Sequence, residues 1–178
     1  YRQAKRFKEL GVEISTSSMN RWVHATADKL YGLYAAQMER VLSAGYIQVD
    51  ETTHPITDRP GSARKGYIWV VRSVLVPGVF FYYDKGSRSG EVVLKMLKGY
   101  QGALQTDGYA AYSIFEEKKG VLPLGCMAHV RRKFENALTT TPEAKPALDY
   151  IALLYMLEGN LRAEGADWEQ IRREREEK

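Results

Sequence analysis

The chain has 178 residues, 44% of them hydrophobic, which suffices for one full domain with a sizeable core plus a small appendage. It contains no run of 18 apolar residues and no signal-like N-terminus, and its one cysteine, Cys126, excludes an internal disulfide framework, so a cytoplasmic protein without a membrane partner is expected. The net charge of +4 leans toward a polyanionic partner, and residues 1–40 hold seven Lys/Arg against four Asp/Glu.

Residues 2–10 read as a short basic helix, with Ala4, Phe7 and Leu10 on one side and Gly11 as its terminator. A second helix follows, capped by Ser15 or Ser17, in which Met19, Trp22, Val23, Thr26, Ala27 and Leu30 recur at the spacing of one buried face. Two readings stay open for this segment, residues 1–43. It is either a helix-turn-helix that reads DNA through Asn20, Arg21 or His24, or, as such pairs more commonly are, a helical hairpin packed on the main domain.

From Gly45 the pattern changes. Residues 45–51 predict a strand carrying Asp50, and residues 53–65, with Pro55, Pro60, Gly61, Arg59, Arg64 and Lys65, read as a loop. Residues 66–76 are rich in strand formers, Pro77-Gly78 is a turn, and Val79–Tyr83 is a third strand, which suggests an antiparallel meander. Ser89 caps a helix whose Val93, Met96, Leu97 and Tyr100 share one face. A short strand, Ala103 to Thr106, delivers Asp107 to its end, and a helix from Tyr109 to Lys118 contributes Tyr109, Tyr112 and Phe115 to the core before Gly120 ends it. Val121–Met127 is a fifth strand, and Ala128–Leu138 a helix carrying Arg131, Arg132 and Lys133.

Residues 44–138 thus give the order β-β-β-α-β-α-β-α, an α/β arrangement with the element order of the ribonuclease H-like fold: a mixed five-stranded sheet, here with N-terminal helices before it and C-terminal helices after. In that architecture the first and fourth strands are parallel neighbours, joined by a right-handed crossover, and Asp50 meets Asp107. Converging carboxylates repel unless a divalent cation sits between them, which points to metal-dependent phosphoryl chemistry. Each acid alone has a plainer role, Asp107 as a helix cap and Asp50 as a polar strand end. Arg64, Lys65, Arg131, Arg132 and Lys133 are candidates to neutralise phosphates, weighed against a merely solvated basic face. Cys126 and His129 resemble half a zinc site but lack a second pair, His24 and His54 being far off; His129 is expected to face the acids and touch a phosphate or orient water.

Residues 139–178 form a further helical segment. Residues 144–163 are a strongly apolar helix with Leu148, Ile151, Leu154 and Tyr155, Gly165 breaks it, and Asp167 caps a charged helix with only Trp168 and Ile171 to bury. The chain opens without Met, and both ends look like cuts in a longer protein.

Five stretches carry a family resemblance: Tyr1-Arg2-Gln3 with Phe7, Gly11 and Trp22; Val49-Asp50-Glu51-Thr52; Gln105-Thr106-Asp107-Gly108-Tyr109; the run Gly125 to Phe134; and, more weakly, Leu154 to Glu158. Together they resemble the insertion sequence 66 family of DDE transposases. The resemblance implies a cut-and-join enzyme of mobile DNA in a bacterial cell, associated with the nucleoid, acting on transposon ends and target DNA, with homo-oligomers among its expected states. It also implies two Mg²⁺ or Mn²⁺ ions held by Asp, Asp and Glu, with Asp50 and Asp107 at the first two positions as catalytic metal ligands. No motif for the third acid is present; residues 140–178 read as the start of an inserted helical segment, with Glu135 and Glu158 as spare candidates. A ribonuclease H-like nuclease without strand transfer and a noncatalytic DNA-binding module are the competing expectations.

Overall fold

The computed structural model describes residues 2–59 and 61–177, the side chains of Asp58, Arg59 and Glu177 excepted; expectations that fell on Tyr1, Pro60 and the Arg59 side chain lie outside the described residues. The chain divides into two compact units, Tyr1–Leu124 and Gly125–Lys178.

In the first unit a short basic helix, α1 (Arg2–Glu9), leads through Gly11 to the 27-residue α2 (Thr16–Leu42). Ser15 caps α2, its Oγ accepting the Ser18 N–H at 3.0 Å. The expected buried face over Met19 to Leu30 is not found: Trp22, Val23 and Leu30 are 55%, 66% and 54% exposed. A helical period says which side chains share a face but not what covers it, and only the last turns of α2 reach a partner. There Tyr34 donates its hydroxyl to the Phe81 carbonyl (3.0 Å), Gln37 Nε2 donates to that of Val79 (3.3 Å), and Val41 enters the core.

The sheet comprises β1 (Tyr46–Arg59), β2 (Ser62–Ser73), β3 (Val79–Tyr82), β4 (Gly102–Thr106) and β5 (Val121–Gly125), in the order β3-β2-β1-β4-β5. It is mixed: β1 runs antiparallel to β2, β2 to β3, and β1 parallel to β4. The loop expected over residues 53–65 is instead a ribbon, because β1 and β2 stay paired from Ile47↔Ser73 out to Ile56↔Arg64. Thr52, Thr53, Ile56 and Thr57 favour extended backbone, and β4 pairs with β1 only as far as Gln48, so Pro55 lies where β1 has become an edge strand that tolerates proline. Where the parallel strands begin, Gly102 takes φ +125°, the Ala103 N–H reaches the Gly45 carbonyl at 2.8 Å, and a Cβ on residue 102 would collide with that same carbonyl.

One face of the sheet is dry. Ile47, Val49, Trp69, Val71, Phe80 and Leu104 pack with Val92, Val93 and Met96 of α3 (Gly90–Met96), with Leu97 and Tyr100 beyond it, and with Tyr112 and Phe115. The helix expected over 89–100 is thus shorter, although its buried residues are those of the periodic pattern. The helix expected over 109–118 is a 3₁₀ stretch, Ala110–Phe115. Its aromatics at 109, 112 and 115 recur every three residues, which suits the three-residue turn of a 3₁₀ helix.

The second unit is helical: α4 (Met127–Ala137), a 3₁₀ turn at Pro142–Ala144, α5 (Lys145–Ala163) and α6 (Trp168–Glu177). Ile151, Leu161 and Ile171 are buried, whereas Leu154, Tyr155 and Trp168 are exposed. The last helix has more to hold it than its apolar content predicts. Asp167 Oδ1 accepts the Glu169 and Gln170 N–H groups (3.0 and 2.8 Å), Gln170 Oε1 accepts the Asp167 N–H (2.9 Å), and Arg175 bonds Glu158 of α5.

Candidate functional site

The ladder pairs Tyr46↔Ala103, Ile47↔Leu104 and Gln48↔Gln105 fix an offset of 57 residues between β1 and β4. Asp50 lies two residues beyond Gln48 within β1 and Asp107 two beyond Gln105, just past the end of β4, so the same offset continued would set them opposite one another. Side chains alternate along a strand, so both acids share the face of Gln48 and Gln105, opposite the dry one. On that face Gln48 Nε2 donates to Gln105 Oε1 at 2.6 Å and Tyr46 donates its hydroxyl to the same oxygen at 3.1 Å, tying the two strands just below the acids.

Each aspartate is oriented by its own backbone. The Glu51 N–H donates to Asp50 Oδ1 at 2.8 Å, and the Tyr109 N–H to Asp107 Oδ1 at 2.9 Å. The second bond makes Asp107 the acceptor of a tight turn before the 3₁₀ helix, whose N-cap is Tyr109 and not the aspartate expected there. The Tyr112 hydroxyl senses both acids. Burial first, then the negative charges of Glu51, Asp107 and Asp50, hold its pKa far above the ordinary tyrosine range.

Glu51 was named in the sequence only as part of a motif, and the structure gives it a definite place. In phase with Ile47 and Val49 it points into the dry face, where its side chain is 3% exposed. Oε1 accepts Arg88 Nε at 2.7 Å and is also bonded by Arg88 Nη2; Oε2 accepts the Tyr112 hydroxyl at 3.1 Å. The Arg88 guanidinium lies 3.8 Å from the centre of the Tyr109 ring and 5.2 Å from that of Tyr67. Burial works against its charge, but the bond and the attraction to Glu51, with Tyr109 and Tyr67, outweigh that and raise its pKa. Trp69 and Tyr109 meet Tyr112 edge to face. A legible signal existed: an acid at a core-phase strand position requires a buried partner. Nothing local marks Arg88 as that partner.

The remaining candidates are dispersed. Arg64 and Lys65 stand on the exposed β1–β2 ribbon, Arg64 donating to the Lys85 carbonyl at 3.2 Å and Lys65 lying over the Tyr67 ring. His129, Arg131, Arg132 and Lys133 are on α4 in the second unit, which begins one residue before Cys126, the N-cap of α4. Arg131 pairs with Glu135 at 2.9 Å, and Glu158 is engaged by Arg175 and Arg162. Asn20, Arg21 and His24 are exposed on α2, and His54 on the ribbon.

Asp50 and Asp107 supply the hard oxygen donors that Mg²⁺ and Mn²⁺ prefer. Among the described residues no group of three His, Cys, Asp or Glu converges as a metal shell, so the donor set fits a divalent ion as a half-site. No helix among the described residues is long and apolar enough to cross a membrane.

Comparison with known proteins adds the family. Uncharacterized protein y4qI of Sinorhizobium fredii (strain NBRC 101917 / NGR234) is 31% identical over 185 residues, covering 93% of this chain and 34% of its own. Uncharacterized protein y4jD of the same strain is 30% identical over 191 residues, covering 98% of this chain and 37% of its own. The chain therefore spans about a third of the length of these relatives. The family profile described as Transposase IS66 family matches residues 1–178, and the chain belongs to that family.

Proposed function

We propose that this chain carries the first part of the catalytic core of a DDE transposase, a ribonuclease H-like domain for metal-dependent cleavage and transfer of DNA strands. One observation carries the proposal: the shared register of β1 and β4, continued two residues past its last pair Gln48↔Gln105, would align Asp50, within β1, with Asp107, the residue just after β4. The strand order β3-β2-β1-β4-β5, with the third strand on the edge, supports the ribonuclease H-like assignment. Crevices beyond the carboxyl ends of parallel strands are where such sheets collect ligands.

In this function Asp50 and Asp107 hold the divalent ions, Mg²⁺ or Mn²⁺. Ions held there would supply Lewis-acid chemistry: polarisation of the scissile phosphate, activation of a water or a 3′-hydroxyl, and stabilisation of the leaving oxygen. Within this segment Glu135, on α4, is the spare candidate for a third carboxylate. Arg64, Lys65, His129, Arg131, Arg132 and Lys133 bind DNA phosphates along transposon end and target, and fix the strand without reading its sequence. The exposed Asn20, Arg21 and His24 on α2 give a DNA-binding role for the N-terminal helices a surface of its own.

The test is a Mn²⁺ titration of the 178-residue chain and of its Asp50→Ala, Asp107→Ala double variant, following backbone amides by NMR. Saturable, weak binding that disappears in the variant is expected, with no cleavage of duplex DNA by this segment. Binding unchanged by the double substitution would leave the two acids as caps and favour a noncatalytic DNA-binding module. Cleavage without strand transfer by the full-length parent would favour the nuclease.

A further inference from the structure

We propose that Glu51, Arg88 and Tyr109 form a brace that sets the spacing of Asp50 and Asp107, making Glu51 and Arg88 positioning residues of the transposase site. The proposal rests on the assignment of those aspartates as metal ligands.

The geometry forms a circuit. Asp50 Oδ1 is held by the N–H of Glu51, and Asp107 Oδ1 by the N–H of Tyr109. The side chains of those same two residues are joined by one group: Arg88 bonds the Glu51 carboxylate through Nε and Nη2 and stacks on the Tyr109 ring at 3.8 Å. Arg88 thus links β1 at Glu51 to the turn after β4 at the level where the β1–β4 ladder bonds have stopped, since the last β1–β4 pair is Gln48↔Gln105.

Beyond that pair no ladder bond holds the chain leaving β4 against β1, and sheet twist would otherwise carry the two apart. A guanidinium suits the position because it is flat enough to stack and rigid enough to bond at the same time; an ammonium does neither in that way. The Tyr112 hydroxyl on Glu51 Oε2 fixes the other edge of the carboxylate, so Glu51 cannot rotate out of the brace without breaking a second bond. Groups that orient metal-binding carboxylates typically alter metal affinity about 10- to 100-fold when removed.

The experiment titrates Mn²⁺ into the 178-residue chain as wild type, Arg88→Lys, Glu51→Gln, Tyr109→Ala, Tyr109→Phe and Leu97→Ala, with thermal melts of each. Leu97 is fully buried in the core, makes none of the bonds of the brace, and serves as the control for loss of stability alone. Arg88→Lys, Glu51→Gln and Tyr109→Ala are expected to weaken Mn²⁺ binding about tenfold or more. Tyr109→Phe, which keeps the ring and the backbone N–H, binds as wild type does, and so does Leu97→Ala despite a lowered melting temperature. Wild-type affinity in Arg88→Lys, or a loss no greater than that of an equally destabilised Leu97→Ala, would overturn the brace while leaving the two aspartates as ligands. Absence of any binding that depends on Asp50 and Asp107 in the wild type would overturn both the ligand assignment and the brace.

Discussion

Asp50 and Glu51 are neighbours in the chain and alike in chemistry, yet β1 presents them to two different solvents. On the inner face Glu51 is almost fully covered, and both carboxylate oxygens are bonded, by Arg88 and by Tyr112. On the other face Asp50 is exposed, two residues beyond Gln48, which is bonded to Gln105 of β4. A buried carboxylate must have its charge met by the protein, whereas one in water can be met by a ligand. The inner acid therefore serves architecture, and the proposed role of the outer acids is to bind.

Breaking the inner side should cost most. Glu51→Ala leaves Arg88 without its counter-ion and Tyr112 without its acceptor, and a loss of about 2–3 kcal/mol in urea unfolding is expected, below the range for a wholly buried pair because Arg88 is partly solvated. A loss under about 0.5 kcal/mol would place Glu51 among ordinary surface acids.

Tyr112→Phe tests the same side more gently. Loss of its hydrogen bond to Glu51 should cost about 1 kcal/mol near neutral pH. Tyr112 also has a folded-state pKa raised above its ordinary value of 10.0, by burial first and then by Glu51, Asp107 and Asp50. A raised pKa means the unfolded chain releases the proton sooner. The stabilising contribution is therefore whole below about pH 10 and lost progressively above it. The wild type should lose stability more steeply than Tyr112→Phe above pH 10, and parallel alkaline limbs would refute that share. Tyr34 and Tyr100, also raised by burial, contribute equally to both proteins and cancel in the comparison.

The outer side should matter least to stability. Asp50→Ala is expected to change unfolding free energy by no more than about 0.5 kcal/mol, as exposed positions usually do, while abolishing Mn²⁺ binding. A substantial destabilisation by Asp50→Ala would make the two faces alike and remove the contrast.

Much of this was legible in the residues. Alternation through Ile47 and Val49 set the phase of β1, the stop signals at Gly78 and Gly120 cut elements apart, and the three-four spacing of Val93, Met96 and Leu97 named the buried side of α3. These are local properties, dictated by backbone geometry and the period of each element. The chain-order alternation also anticipated the parallel neighbours β1 and β4. By contrast, Trp22 and Leu30 obey the same helical period as Val41 and are exposed, because the sheet extends under only one end of α2. The ribbon past Thr52 was hidden by Pro55, Gly61 and the basic residues, since whether a proline ends a strand depends on whether a neighbour needs its N–H.

By itself, then, the sequence determined the succession of elements, the phase of each strand and the two aspartates worth pairing, since these follow from interactions within a few residues. Tertiary structure alone decided that Glu51 is bonded to Arg88, 37 residues away, that one guanidinium joins β1 to the turn after β4, and that most of α2 is exposed. Partner choice over such separations depends on how faces pack, and no short stretch of chain encodes what will lie opposite it.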